Sequence, residues 1–154
     1  MTTQDKPTPE TVSGFFERDH GEIDALFNAV AFESPREALA AFKEFDGRLE
    51  RHNGCEEGIL FPEVSRKAPH LELGPIRVMR LEHEAIRRNK AAALKALGEG
   101  DGASARSHAG AMVEILKEHN MKEERILYPA CDELLSAAET QAVFRRIKSP
   151  AEPA

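Results

Sequence analysis

An eleven-residue segment occurs twice in the chain, and both copies place charged residues where a helix would bury its apolar face. "HNGCEEGILFP" begins at His52, and "HNMKEERILYP" begins at His119, 67 residues later, with His, Asn, Glu, Glu, Ile, Leu and Pro at equal offsets. A looser match relates "RDHGEI" around His20 to "LEHEAI" around His83. Because internal repeats report architecture, the sequence predicts two similar helical hairpins. Each has one histidine on its first helix and a His-x-x-x-Glu pair on its second.

Prolines, glycines and capping residues divide the hydrophobic periodicity into four long helices and a short fifth. We expect the long helices over about 10–32, 34–67, 75–97 and 103–127 or slightly beyond, and the short helix from residue 136. Ser34-Pro35 with Glu37, and Ser136 with Glu139, have the spacing of capping boxes. Since no strand pattern competes, the fold class predicted is all-α, an up-down-up-down four-helix bundle with a short C-terminal fifth helix. It should form one domain over 10–148, between flexible termini at 1–9 and 149–154.

Composition excludes several classes of function. The 154 residues suffice for one domain, and a formal charge of -6 argues against a nucleic-acid partner. The longest apolar runs are far shorter than the roughly 18 residues that a membrane span requires, and the start of the chain is polar without an apolar signal core. We therefore expect a cytoplasmic protein with no membrane partner. Two cysteines, Cys55 and Cys131, form no disulfide framework in a chain of this length and should be reduced thiols.

Helical spacing places four histidines and two glutamates on inward-facing stripes. These residues are His20, His52, Glu56, His83, His119 and Glu123. A single histidine on such a face is usually an ordinary core residue. Two buried carboxylates, however, need a compensating positive charge, and Arg87 is the one candidate side chain nearby. The pattern therefore predicts a metal site.

The types of ligand narrow the choice of metal. Imidazole nitrogen and carboxylate oxygen without cysteine suit iron, manganese or zinc, whereas magnesium and calcium prefer oxygen ligands. If Glu56 and Glu123 each bridge two ions, the six side chains supply about eight bonds to two octahedral metals. An oxo or hydroxo bridge then leaves about one open position on each ion, which small molecules can occupy.

These motifs resemble those of hemerythrin-like, HHE cation-binding domains, which are non-haem di-iron four-helix bundles, over about residues 10–130. The resemblance implies that the six inward-facing residues are ligands of two iron ions. Oxygen-carrying members of the family have a second histidine four residues after the third-helix ligand, where this chain has Arg87. They also use an aspartate five residues after the fourth-helix histidine, where this chain has Glu124. The repeat favours Glu123 as the ligand because it is the counterpart of Glu56, and we expect Glu57 and Glu124 to be solvated or to contact the ligands.

The missing fifth histidine leaves both irons accessible, which argues against pure reversible oxygen carriage. The resemblance then implies a di-iron protein that binds dioxygen, nitric oxide or peroxide. Two alternatives stay open, a peroxide- or nitric oxide-consuming di-iron enzyme and an iron-sensing or iron-donating module. The oligomeric state cannot be read from the sequence.

Arg87 and Asp24 occupy equivalent positions in the two hairpins, four residues after His83 and His20. Either both turn toward solvent, or Arg87 pairs with Asp24 or with a bridging glutamate and stabilises a bound anion. Tyr128, the single tyrosine, is expected to pack near the end of the bundle rather than to bind metal.

Overall fold

The computed structural model describes residues 10–149, and these residues form helices and short connections. The predicted flexible termini lie outside the described residues, except for Ser149. The helices are α1 (Val12–Asn28), α2 (Pro35–Cys55), α3 (Phe61–Lys67), α4 (Pro75–Gly98), α5 (Gly102–Lys122), α6 (Tyr128–Leu134) and α7 (Ala137–Lys148). No strand occurs among residues 10–149, so the prediction of an all-helical protein is confirmed. None of the helices in this range is long and apolar enough to cross a membrane.

Helix ends differ from the prediction at several points. Helix α1 ends at Asn28 rather than near Phe32, which is buried in the connection to α2. Ser34 occupies the N-cap position of α2, but within the described residues its side chain makes no capping hydrogen bond. The capping box of Ser136 and Glu139 at the start of α7 is present as predicted.

Two π-helical turns interrupt the long helices at the repeated segment. Glu56–Leu60 joins α2 to α3, and Glu123–Leu127 joins α5 to α6, so each pair continues as one rod. Pro62 and Pro129 follow these turns, and proline inside an α-helix lacks an N–H and clashes with the carbonyl four residues earlier. The wider turn accommodates the proline. It is also a geometry that occurs frequently at functional sites.

The helices pack in a closed ring around one axis of buried side chains. Helix α1 contacts α2, α2 contacts α4, α4 contacts α5, and α6 returns to contact α1. Helices α2 and α4 are also joined by the buried Lys90, whose ammonium group lies 2.6 Å from Asp46 and 2.9 Å from Glu50. This ion pair links the first hairpin to the second.

Two hydrophobic clusters fill the ring and leave a polar layer between them. The first cluster includes Ile23, Leu49, Ile86 and Leu116, and the second includes Phe16, Leu60, Met79 and Leu127. The four helical rods are α1, α2 with α3, α4, and α5 with α6. On each rod the inward-facing histidines and glutamates fall between a residue of the first cluster and a residue of the second. The sequence thus confines its buried histidines and glutamates to one level of the core.

A close backbone approach at the start of α5 gives a test of the packing. A Cβ atom at Gly102 would lie 2.2 Å from the carbonyl oxygen of Phe32, whereas one at Gly110 would meet nothing within 4 Å. We expect Gly102→Ala to lower the free energy of unfolding by about 1–3 kcal/mol, because the backbone at residue 102 or the backbone at Phe32 must move to relieve the clash. Gly110→Ala, the matched control in the same helix, should raise it by about 0.5–1 kcal/mol. Urea denaturation measures both, and effects of the same sign would contradict the packing at Gly102.

Candidate metal centre

The six residues predicted from the repeat converge in the polar layer, and all are buried. Their side chains form two overlapping groups in which the potential ligand atoms lie within 4.8 Å of one another. One group is His20, His52, Glu56 and Glu123, and the other is Glu56, His83, His119 and Glu123. Both glutamates belong to both groups. The arrangement therefore has the form of two adjacent cation positions that share two carboxylates.

The Nε2 atoms of the histidines face the centre. His83 Nε2 lies 3.1 Å from His119 Nε2 and 3.2 Å from Oε1 of Glu56. His20 Nε2 lies 3.2 Å, and His119 Nε2 3.3 Å, from Oε1 of Glu123. Imidazole nitrogens of three different helices thus meet the two carboxylates at close range.

The Nδ1 atom of each histidine faces a carboxylate on the outer side of the centre. The pairs are His20 with Glu124 (2.6 Å), His52 with Asp19 (2.8 Å), His83 with Glu57 (2.7 Å) and His119 with Glu82 (3.0 Å). A carboxylate that accepts the Nδ1–H orients the ring and leaves Nε2 free to bind a metal. Glu57 and Glu124 therefore contact ligand candidates instead of joining the centre, which is one of the two positions expected for them.

Asp19 and Glu82 were missed by the sequence argument. Each immediately precedes the first-helix histidine of its hairpin, and each contacts the second-helix histidine of the same hairpin. The signal that could have found them is this repeated acidic residue before histidine, in "DH" and "EH".

Three of these outer carboxylates are paired with a cation. Arg48 contacts Asp19, and Lys122 lies 2.5 Å from Glu82. Arg87 lies 2.9 Å from Glu57 and 2.8 Å from Glu50. The suggested pairing of Arg87 with Asp24 or with a bridging glutamate is therefore wrong, because the guanidinium group turns toward helix α2. Arg87 therefore acts on His83 indirectly: it pairs with Glu57, which contacts Nδ1 of His83.

The buried charges compensate one another within the protein. Burial alone would lower the pKa of His52, but the charge of Glu56 and the hydrogen bond to Asp19 raise it to about 10. Burial likewise opposes the charge of His119, and Glu123 raises that pKa to about 10. Burial would raise the pKa of Glu56, yet His52 and the groups around it hold it well below 4.5. Protonated imidazoles therefore balance the carboxylates, and a metal ion that binds here must displace their protons.

Unpaired atoms at the centre test whether a metal fits. Four buried polar atoms make no hydrogen bond of acceptable geometry among the described residues, although some lie within ion-pair distance of an imidazole: Nε2 of His52, Oε1 of Glu56 and both carboxylate oxygens of Glu123. Buried polar atoms without partners are costly, and they are rare in folded proteins. The three carboxylate oxygens carry lone pairs that can bind a cation, and Nε2 of His52 does so once its proton is displaced. The donor set of imidazole nitrogens and carboxylates therefore fits two metal ions.

Tyr128 lies at the centre, although it was expected to pack near the end of the bundle. Its hydroxyl donates to Oε2 of Glu56 and lies 3.2 Å from Nε2 of His20. The expectation was wrong because it assumed α-helical spacing, whereas the π turn bonds the N–H of Tyr128 to the carbonyl of Glu123, five residues earlier. The sequence signal was a single tyrosine where the other copy of the repeat has Phe61.

Other reactive side chains lie apart from the centre. His70 lies in the short turn Pro69–Leu71, and His108 lies on α5, in neither of the two groups. Cys55 and Cys131 are free thiols, as predicted. A surface cavity of about 400 Å³ between α1, α2 and α7 has His52 and Cys55 in its lining. This cavity borders the outer side of His52, where Asp19 and Arg48 also line it.

Comparison with known proteins gives one family. The family model described as "Hemerythrin HHE cation binding domain" matches residues 11–131. No curated protein and no solved structure matches the chain. The matched range contains both copies of the repeat and all six converging residues, and it ends before α7.

The raised pKa values predict how stability depends on pH when no metal is bound. Because the pKa values of His52 and His119 are about 10 in the folded protein against 6.5 as the ordinary value, the folded state binds more protons between these pH values. Its free energy of unfolding should therefore fall as the pH rises from 7 to 9, by about 2–5 kcal/mol. The urea midpoint of chelator-treated protein measures this, and His70→Ala is the control that should follow wild type. A midpoint that does not change between pH 7 and 9 would contradict the charge balance described above.

Proposed function

Because the chain belongs to the hemerythrin family of HHE cation-binding domains, we propose that it is a di-iron protein that binds dioxygen, nitric oxide or peroxide. The observation that carries the proposal is the pair of overlapping residue groups that share Glu56 and Glu123. The proposed iron ligands are His20, His52, Glu56, His83, His119 and Glu123. Bound iron would supply open coordination positions and redox chemistry for a small ligand.

The identity of the metal is supported by the donor set. Imidazoles and carboxylates without a thiol suit iron better than they suit magnesium or calcium. Neither cysteine belongs to the two groups. The proposed cofactor is therefore two iron ions bridged by Glu56 and Glu123, with an oxo or hydroxo bridge completing the pair. Manganese and zinc, which accept the same ligands, are outcomes that metal analysis distinguishes.

Binding of small molecules, rather than pure oxygen carriage, is supported by the position of Arg87. Oxygen carriers of the family have a ligand histidine there, but in this chain the side chain turns to Glu57 and Glu50. The remaining ligands would leave open positions on both ions.

We also propose the order of the helices, the domain bounds and the cellular location. An up-down-up-down order of the four rods is supported by their closed ring of contacts and by short connections such as the one between α4 and α5. We propose a single domain over 10–148 and a cytoplasmic location without a membrane partner. The formal charge of -6 supports the absence of a nucleic-acid partner.

An anaerobic titration separates this function from its alternatives. The iron-loaded protein is reduced and then exposed to dioxygen, nitric oxide or hydrogen peroxide while optical spectra and consumption of the added molecule are recorded. A stoichiometric spectral change without turnover is the expected result. Sustained consumption would instead indicate a peroxide- or nitric oxide-consuming enzyme. An unchanged spectrum, together with iron-dependent protection from proteolysis, would indicate an iron-sensing or iron-donating module.

Iron content tests the ligand set directly. We expect about two irons per wild-type chain after anaerobic reconstitution, and at most one in Glu56→Ala, because each bridging carboxylate serves both positions. His119→Ala should lose mainly one ion, since His119 belongs to one group. The matched control is His70→Ala, which should retain both irons. Reproducible binding of one iron or none by the wild-type chain would reject the proposal.

A further inference from the structure

The two halves of the repeat differ beside the centre by one hydroxyl group. Tyr128 and Phe61 occupy equivalent positions, and both side chains are fully buried. The ring of Tyr128 lies 5.7 Å from that of His20, and the ring of Phe61 lies 6.3 Å from that of His83. Each aromatic ring thus packs against the first-helix histidine of the opposite hairpin. Only the tyrosine brings a polar group.

The hydroxyl lies at the edge of one of the two cation positions. It donates to Oε2 of Glu56 and lies 3.2 Å from Nε2 of His20, and both residues belong to the group that contains His52. Phe16 packs against the rings of both Tyr128 and His52, at 5.2 Å and 5.3 Å, so an apolar ring borders both side chains. A small ligand beside His20 and His52 would therefore have the Tyr128 hydroxyl within reach as a hydrogen-bond donor.

We propose that Tyr128 is the hydrogen-bond donor to a small anionic ligand, and that such a ligand binds on the His20 and His52 side of the centre. The inference rests on the proposed di-iron function and names the ligand class and the side for that site. On the opposite side the equivalent ring, Phe61, offers no donor. A hydrogen bond to an ionised acceptor is stronger than one to a neutral acceptor, and low polarity around the site strengthens it further.

The chemistry of the buried phenol agrees with a donor role. The hydroxyl of Tyr128 already donates a hydrogen bond to a carboxylate oxygen, Oε2 of Glu56. Its O–H can turn about the C–O bond, so it can exchange Glu56 for the acceptor atom of a ligand. Nitric oxide is a poor acceptor and should gain least from the hydroxyl, whereas azide and the anions of peroxide should gain most.

Tyr128→Phe removes the donor while it keeps the ring, and azide is the probe. Variants are first brought to equal iron content by metal analysis, and azide binding is then followed by optical titration. We expect Tyr128→Phe to retain about two irons and to bind azide about tenfold more weakly, with nitric oxide affinity changed less than about threefold. The matched control is Phe61→Tyr, which changes the same hydroxyl in the other hairpin and should leave azide affinity within about threefold of wild type.

A second measurement requires no variant. The vibrational frequency of azide bound to the iron-loaded wild-type protein should shift between H2O and D2O, because the Tyr128 hydroxyl exchanges its proton. Any of four results would overturn this inference without affecting the proposed function. They are equal azide affinity in Tyr128→Phe and wild type, an equal loss of azide affinity in Phe61→Tyr, loss of iron from Tyr128→Phe, and the absence of a D2O shift. Fewer than two irons in the wild-type protein would overturn the proposed function, and the inference with it.

Discussion

Two carboxylates without solvent exposure, Glu56 and Glu123, are the constraint on which the rest of the structure depends. A buried negative charge persists only where a cation compensates it. Here the compensation is built in layers: imidazoles surround the carboxylates, outer carboxylates hold the imidazoles, and Arg48, Arg87 and Lys122 neutralise three of those outer groups. The same layers that stabilise protonated histidines without metal can orient neutral histidines toward metal. When no metal is bound, protons on His52 and His119 can therefore compensate the two carboxylates.

The hydrophobic clusters on both sides of this layer strengthen the electrostatic interactions within it. They exclude water from the carboxylates and thus keep the local dielectric constant low. Each ion pair or hydrogen bond at the centre is therefore stronger than it would be at the surface. Because the converging side chains come from all four helical rods, any ion bound there would cross-link both hairpins. The π turns contribute to this geometry, since they carry Glu56 and Glu123 and accommodate the prolines that follow.

The sequence alone identified the six residues that converge at the centre, but it did not identify all of the side chains that contact them. Residues such as His52 and Glu56 share a helical stripe at a spacing of four, and the repeat supplies their counterparts, so spacing alone brought them together. The partners of Asp19 and Arg87 depend on which helices are neighbours and on how each is rotated about its axis, and neither quantity is encoded in local periodicity. Tyr128 was misplaced because a π turn changes the period from which its position was calculated.

The twofold repeat is imperfect in its outer charges, and the imperfection falls on the same side as the tyrosine hydroxyl. Behind His83, Glu57 is paired with Arg87. Behind His20, Glu124 has no lysine or arginine within ion-pair distance among residues 10–149, and the position equivalent to Arg87 is the acidic Asp24. The outer carboxylate behind His20 thus lacks the ion-pair partner that its counterpart behind His83 has. The two groups of buried residues therefore differ in their outer charges as well as in the tyrosine hydroxyl.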